Sequence, residues 1–219
     1  MKGNVFVATG ANKLGNNVFY TMYGEQYARI RNRNPRNPRT TRQLMSRAKL
    51  SFLSDLAAQF RGAIMKGFRY VASSEKHTTY NEFVQSNYNK LTGSTPETLE
   101  IAIPELTIAD GPVNGFIPSG VLDVSTPGSI DVRFSETYEG IDGSASDDEV
   151  FVYIYCPSAK RGILSSAADR QSSHVTVSGL PTAWSGLEVY VFGFAIGGAH
   201  NMFPGQSSQT MYCGTAELG

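Results

Sequence analysis

Two runs in the second half of the chain, DEVFVYIYC at 148–156 and LEVYVFGFAI at 187–196, restrict the fold more than any other feature. Successive side chains of a strand point to opposite sides, so a strand wetted on one face alternates apolar with polar residues. Phe151–Cys156 and Val189–Ile196 are apolar at both parities. Strands of that kind have to be central or covered. SIDVRFS at 129–135 behaves differently, with Ile130, Val132 and Phe134 on one face and Asp131, Arg133 and Ser135 on the other. LEIAI, GVLDV, HVTVSGL and QTMYCG complete a set of seven strand candidates, separated by Gly, Pro, Asp and Ser clusters. Seven short strands over 98–219 predict an immunoglobulin-like antiparallel β-sandwich. The Cys–Trp–Cys signature of antibody domains is absent, and Trp184, in LPTAWSG, is expected to cap the core.

The first half has other periodicities. Asn4–Thr9 reads as a short strand, Gly10–Asn16 as a turn-rich link, and NNVFYTMYGEQYARIRNRN as a hairpin. Pro35 and Pro38 keep the next segment extended. Thr40-x-x-Gln43 is a capping-box start for a helix of some 25 residues. Its apolar stripe is Leu44, Ala48, Phe52, Leu56, Phe60, Ile64 and Phe68, with Gly67 as the stop. Thr79-Tyr-Asn-Glu82 reads as a capping box for a second helix. Thr92–Thr98, TGSTPET, has linker composition. The expectation is therefore an α+β chain: a hairpin and helical domain at 1–97, then an immunoglobulin-like sandwich at 98–219 able to fold alone.

Charge is distributed unevenly along this order. Residues 1–69 carry 13 Lys and Arg against Glu25 and Asp55, a net of +11, and the remaining 150 residues carry 6 against 17, a net of −11. The overall zero is a cancellation. Arg29, Arg31, Arg33, Arg36, Arg39, Arg42 and Arg47 are the candidate partner- or phosphate-binding residues. In a strand Arg29, Arg31 and Arg33 share one face at about 7 Å intervals. Guanidinia in a row are too costly to bury unpaired, so they face water, phosphates or an acidic protein surface. The acidic remainder permits that surface to be another copy of the chain.

No constellation for catalysis stands out. His77, His174 and His200 are scattered, GQSSQ at 205–209 lacks the second glycine of a nucleophile elbow, and no Cys/His spacing suits zinc. Gly10 and Gly15 have phosphate-loop spacing, but Asn16-Asn17 follows where Lys-Ser/Thr is needed. Asp147-Asp148-Glu149 reads as a solvated turn before a strand rather than a cation site. Cys156 and Cys213 sit in apolar runs and are expected to be buried free thiols. MKGNVFVATG lacks the continuous apolar core of a signal peptide, and Val189–Ala199 is too short to span a bilayer. The reading is a protein that is not an enzyme, with no cofactor and no membrane partner.

Two blocks carry a family resemblance. The first is LGNNVFY, GEQYARIRNRNPRNPRTTRQLMSRAKLSFL and TTYNEFVQSNYNK, in which Gly15, Val18, Tyr20, Gly24, Arg29, Arg31, Asn37, Pro38, Arg39 and Thr40 fill motif positions, as do Gln43, Arg47, Tyr80, Asn81, Phe83 and Asn87. The second is DDEVFVYIYCPSAK, LPTAWSGLEVYVFGF and SSQTMYCG. Together they resemble a family, without established activity, of gut Bacteroidota and their phages, crAss-like ones included. Cys156 and Cys213 depart from the resemblance, which argues against a family-wide disulfide. The resemblance implies a virion structural protein, such as a head–tail connector, ring or capsid-associated subunit, assembled in the bacterial cytoplasm as a homo-oligomer with other virion proteins. The residues keep two alternatives open. The arginines, interleaved with Tyr20, Tyr23 and Tyr27, would suit nucleic acid, and the sandwich would suit an adhesion module.

Overall fold

The alternation in Asn17–Ile30 produces the expected hairpin, extended by a short extra strand. The computed structural model describes residues 12–14, 16–22, 24–34, 37, 39–135 and 143–219. The expected strand Asn4–Thr9 and both phosphate-loop glycines lie outside them. The chain is α+β and separates into two compact units, Met1–Gln43 and Leu44–Gly219.

In the first unit, β1 (Asn12–Leu14), β2 (Asn17–Met22) and β3 (Glu25–Ile30) form an antiparallel sheet in that order. The segment read as a turn-rich link thus contributes a strand, with Asn12 opposite Phe19 and Leu14 opposite Asn17. Gly24 turns β2 into β3 at φ +80°, a conformation glycine adopts without a Cβ penalty. The hairpin pairs Val18 with Arg29, Tyr20 with Tyr27 and Met22 with Glu25.

Thr40 caps α1 (Thr41–Gln59) by accepting the Gln43 amide at 3.4 Å. The single helix expected to reach Phe68 is instead α1, α2 (Arg61–Gly67) and α3 (Arg69–Ser74). Backbone bonds of helical spacing cross both junctions: the Phe60 amide donates to the Leu56 carbonyl at 3.1 Å, and Phe68 to Ile64 at 3.1 Å. At the first junction the Tyr153 hydroxyl donates to the Gln59 carbonyl, a side-chain contact to the helical ladder and one of the recognised sites of helix irregularity. α2 does end at Gly67, the expected stop. A Cβ there would collide with the Ile108 carbonyl and Ala109, so the glycine permits close packing.

A strict four-residue stripe rotates by about 40° at each step of a 3.6-residue helix. It cannot stay on one face. The buried set is Leu53, Leu56, Ala57, Phe60, Ala63, Ile64 and Phe68, whereas Leu44 is 43% exposed. At α4 (Thr79–Tyr88) the cap is Thr78, one residue earlier than expected, accepting the Asn81 amide at 3.2 Å. Glu82 pairs with His77 at 2.7 Å instead.

The remaining strands build two antiparallel sheets. β4 (Ile117–Asp123), β5 (Ser129–Ser135) and β9 (His174–Ser178) form one in that order. In the other, β11 (Met211–Glu217), β10 (Glu188–Ile196), β6 (Glu149–Cys156) and β7 (Arg161–Leu164) follow in order, and β8 (Ala168–Asp169) pairs with β6. The chain crosses between the sheets from β5 to β6, from β8 to β9 and from β9 to β10, as in an immunoglobulin-like sandwich. Ile130, Val132 and Phe134 meet Val150, Val152, Ile154, Val189 and Val191 in the inter-sheet core, which also holds Trp184.

The opposite parity explains the opening puzzle. Phe151, Tyr153, Tyr155, Phe192 and Phe194 point away from the sandwich core and pack on α1, α2 and α4. The Phe60 ring lies 5.0 Å from Tyr153, 4.5 Å from Tyr155 and 6.0 Å from Phe192. Helices and the larger sheet therefore share a core, and the expected boundary at 97/98 falls inside the second unit. Thr92–Thr98 is tied back by two Thr92–Glu100 backbone bonds of 3.0 and 3.2 Å. LEIAI is not a strand. A 3-10 turn at Ile103–Glu105, with Pro104 in it, ends the segment, and Ile101 and Ile103 pack against the helix layer.

Candidate functional site

The arginines are distributed over different local structures. Among them only Arg29 lies in a paired strand. The Arg31 amide extends the pairing by one bond, to the Asn16 carbonyl at 2.6 Å. Asn32 then accepts the Asn34 amide at 3.1 Å, and this side-chain turn bends the chain away. The expected row of Arg29, Arg31 and Arg33 is thus shortened, with Arg33 beyond the strand. Arg36 lies outside the described residues. Arg39 and Arg42 are exposed beside and within the start of α1, whose first turn has no acid, and Arg47 is exposed in the second unit.

The hairpin has two distinct faces. On one, Tyr20 stacks on Tyr27 with centroids 5.6 Å apart, and the Arg29 guanidinium stands 5.9 Å from the Tyr20 centroid. A cation–π contact at such an exposed position contributes about 0.5–1 kcal/mol and preorganises the guanidinium. The other face carries Phe19, Ala28 and Ile30, with Phe19 40% and Ile30 78% exposed. None of the described residues from 16 to 43 is buried. A small sheet ordinarily needs one packed apolar face for stability. This unit bears eight Lys and Arg against one Glu, a net of +7, and Leu44–Gly219 carries −7. Exposed apolar side chains beside guanidinia suit a partner that is acidic and partly apolar. That chemistry belongs to protein more than to a bare phosphate backbone.

Elsewhere, polar groups are committed to the fold. Asp148, read as part of a solvated turn, is buried and pairs with buried Arg170 at 3.0 Å. Its carboxylate also accepts the Ala145 and Gly198 amides and Asn201 Nδ2, at 2.8–2.9 Å. Arg170 donates to the Asn114 and Gly115 carbonyls at 2.6 and 3.1 Å. Sequence reasoning missed this network because the two partners are 22 positions apart and carry no motif. In GQSSQ, Ser208 Oγ accepts the Ala195 amide at 2.9 Å, a structural role. His77 and His200 bond separate acids, Glu82 and Asp147, and His174 approaches the Ser172 carbonyl.

Cys156 and Cys213 are free and buried, and burial pushes the Cys213 thiol up to about 12. A cleft of about 470 Å³ lies on the outer side of the β4-β5-β9 sheet. Its central Asp131 accepts from Arg133 and Thr176 at 3.2 and 2.8 Å. Among the described residues no group of three His, Cys, Asp or Glu side chains could hold a metal, and no helix is long and apolar enough to cross a membrane.

Among curated proteins nothing matches the chain. Among solved structures it is similar to the fn3 domain of the human collagen alpha-1(XX) chain, at 18% identity and a TM-score of 0.34, over 51% of this chain and 90% of that one. Residues 8–203 match a family of unknown function, DUF6266, and the chain belongs to that family.

Proposed function

We propose that the protein is a non-catalytic structural subunit of a bacteriophage particle that assembles with copies of itself and with other virion proteins through its basic N-terminal unit. One observation carries this reading: the unit pairs seven net positive charges with exposed Phe19, Met22, Tyr27 and Ile30, and none of its described residues from 16 to 43 is buried. A sheet in that condition gains most of its stability by docking. The resemblance of the two sequence blocks to phage-associated proteins supplies the virion setting. The acidic second unit makes a like subunit a suitable neighbour.

Reversing Arg29, Arg31 and Arg33 to Glu tests the reading by light scattering and DNA titration at several salt concentrations. Wild type should form oligomers in low salt and dissociate toward 1 M, where the screening length falls to about 3 Å. The triple variant should stay monomeric, and wild-type DNA binding should be weak. Tight DNA binding with a salt slope of several units, lost in the variant while oligomers persist, would instead assign the arginines to phosphates.

A further inference from the structure

The sheet surface around Glu188 and Glu217 has an arrangement that the fold itself does not require. These two residues are direct partners across β10 and β11, and both are exposed. Like charges directly opposite one another in an antiparallel pair repel. Among the described residues no Lys or Arg pairs with either. Glu188 accepts only the Tyr190 hydroxyl, at 3.0 Å. Along the same face the next cross-strand rows are Tyr190 with Thr215, then Phe192 with Tyr212, whose rings lie 5.6 Å apart. Phe192 is buried under the helices, whereas Thr215 and Tyr212 are exposed. The face thus runs from an unneutralised carboxylate pair to an aromatic end, one row every 7 Å or so.

The hairpin of the first unit has a complementary order at the same spacing. Its rows are Val18 with Arg29, Tyr20 with Tyr27, and Met22 with Glu25. We infer that the β10–β11 face bearing Glu188 and Glu217 is the surface on which a second copy of this chain seats the Arg29 face of its hairpin. Antiparallel rows then match in kind: the guanidinium over the carboxylate pair, the tyrosine pair over exposed Thr215 and the open edge of Tyr190, which is half-buried against the helix layer, and Met22 toward Tyr212. The Glu–Glu repulsion, unrelieved in one copy, is relieved by the Arg29 of another. Donor and acceptor are different surfaces, so the contact is head-to-tail and propagates to a ring or filament. This inference rests on the proposed assembly role and specifies its acceptor.

The test is sedimentation velocity at low salt on the full chain, using E188R/E217R, the isosteric E188Q/E217Q, and R29E/R31E. Both Glu variants should sediment as monomers. E188Q/E217Q should also melt no lower than wild-type monomer, because its substitution removes a repulsion. Mixing E188Q/E217Q with R29E/R31E leaves one intact donor and one intact acceptor, and should give a 1:1 heterodimer that grows no further. Assembly of both Glu variants like wild type, while R29E/R31E stays monomeric, would overturn this acceptor and leave the assembly role standing. The same holds if the mixture forms no heterodimer. Wild type that remains monomeric, or R29E/R31E that assembles normally, would overturn both.

Discussion

Removing residues 1–97 should destroy the sandwich rather than release it. The cut strips α1 to α4 from the larger sheet and uncovers Phe151, Tyr153, Tyr155, Phe192 and Phe194, each at most 4% exposed in the intact protein. Burying one large apolar side chain contributes roughly 1.5–3 kcal/mol, so the five together represent about 8–15 kcal/mol. That equals the whole stability of an ordinary domain, about 5–15 kcal/mol. The Tyr153 and Tyr155 hydroxyls would also lose the Gln59 carbonyl and side chain as partners. A fragment 98–219 should therefore aggregate, or show no cooperative urea transition by far-UV circular dichroism. A fragment 40–219, which keeps the Thr40 cap and the helix layer, should unfold cooperatively. Within the full chain, Phe60→Ala removes the ring that touches Tyr153, Tyr155 and Phe192, and should cost about 3–5 kcal/mol. A soluble, monomeric 98–219 with a cooperative transition matching that of 40–219 would refute the shared-core argument.

Two further outcomes follow from buried polar groups. Asp148→Ala leaves the Arg170 guanidinium buried without its carboxylate and should destabilise by about 3–5 kcal/mol; Asp148→Ala/Arg170→Met should recover much of that loss in urea titrations. Stability should also fall as pH rises above about 8.5. There the unfolded Cys213 thiol releases its proton while the folded one, raised to about 12, retains it, so roughly 1.4 kcal/mol is lost per pH unit until the folded thiol titrates. Cys213→Ala should flatten the decline of Tm between pH 9 and 11, and an unchanged slope would reject this linkage.

Strand identity in the sandwich was legible because apolar parity leaves a local signature. SIDVRFS is β5 at 129–135, and both two-faced runs became β6 and β10. What parity could not tell was the nature of the second cover. Central position and coverage by helices produce the same sequence, and TGSTPET resembles a linker whether or not its ends are tied back. RGIL, now β7, is too short to signal against its turn. LEIAI has strand composition, but Pro104 follows it and the helix layer claims its side chains. The candidate site was legible only as composition. Seven arginines could be named, but Asn32 decides that Arg33 leaves the strand. The Glu188–Glu217 opposition depends on a register that includes a shift between Val191 and Phe192, and such a shift leaves no trace in either strand's pattern.

The two units differ in how they could earn their stability, and that difference bears on function. Leu44–Gly219 satisfies itself: two apolar cores fill its three layers, and its buried ion pair is held by backbone donors and acceptors. Among the described residues, the sheet of the first unit shows cross-strand bonds, a Tyr20–Tyr27 stack and an arginine over a ring. Pairs of that kind contribute roughly 0.2–1 kcal/mol each, against about 1–2 kcal/mol of backbone entropy for every residue ordered. The balance favours a sheet whose order is completed by a partner. Its charge then sets which partners succeed: a basic surface is repelled by the basic units of other copies and drawn to their acidic bodies. Under the proposed assembly, self-association would be directed head-to-tail, while hairpin-to-hairpin pairing through Phe19 and Ile30 would be opposed by the arginines that flank them.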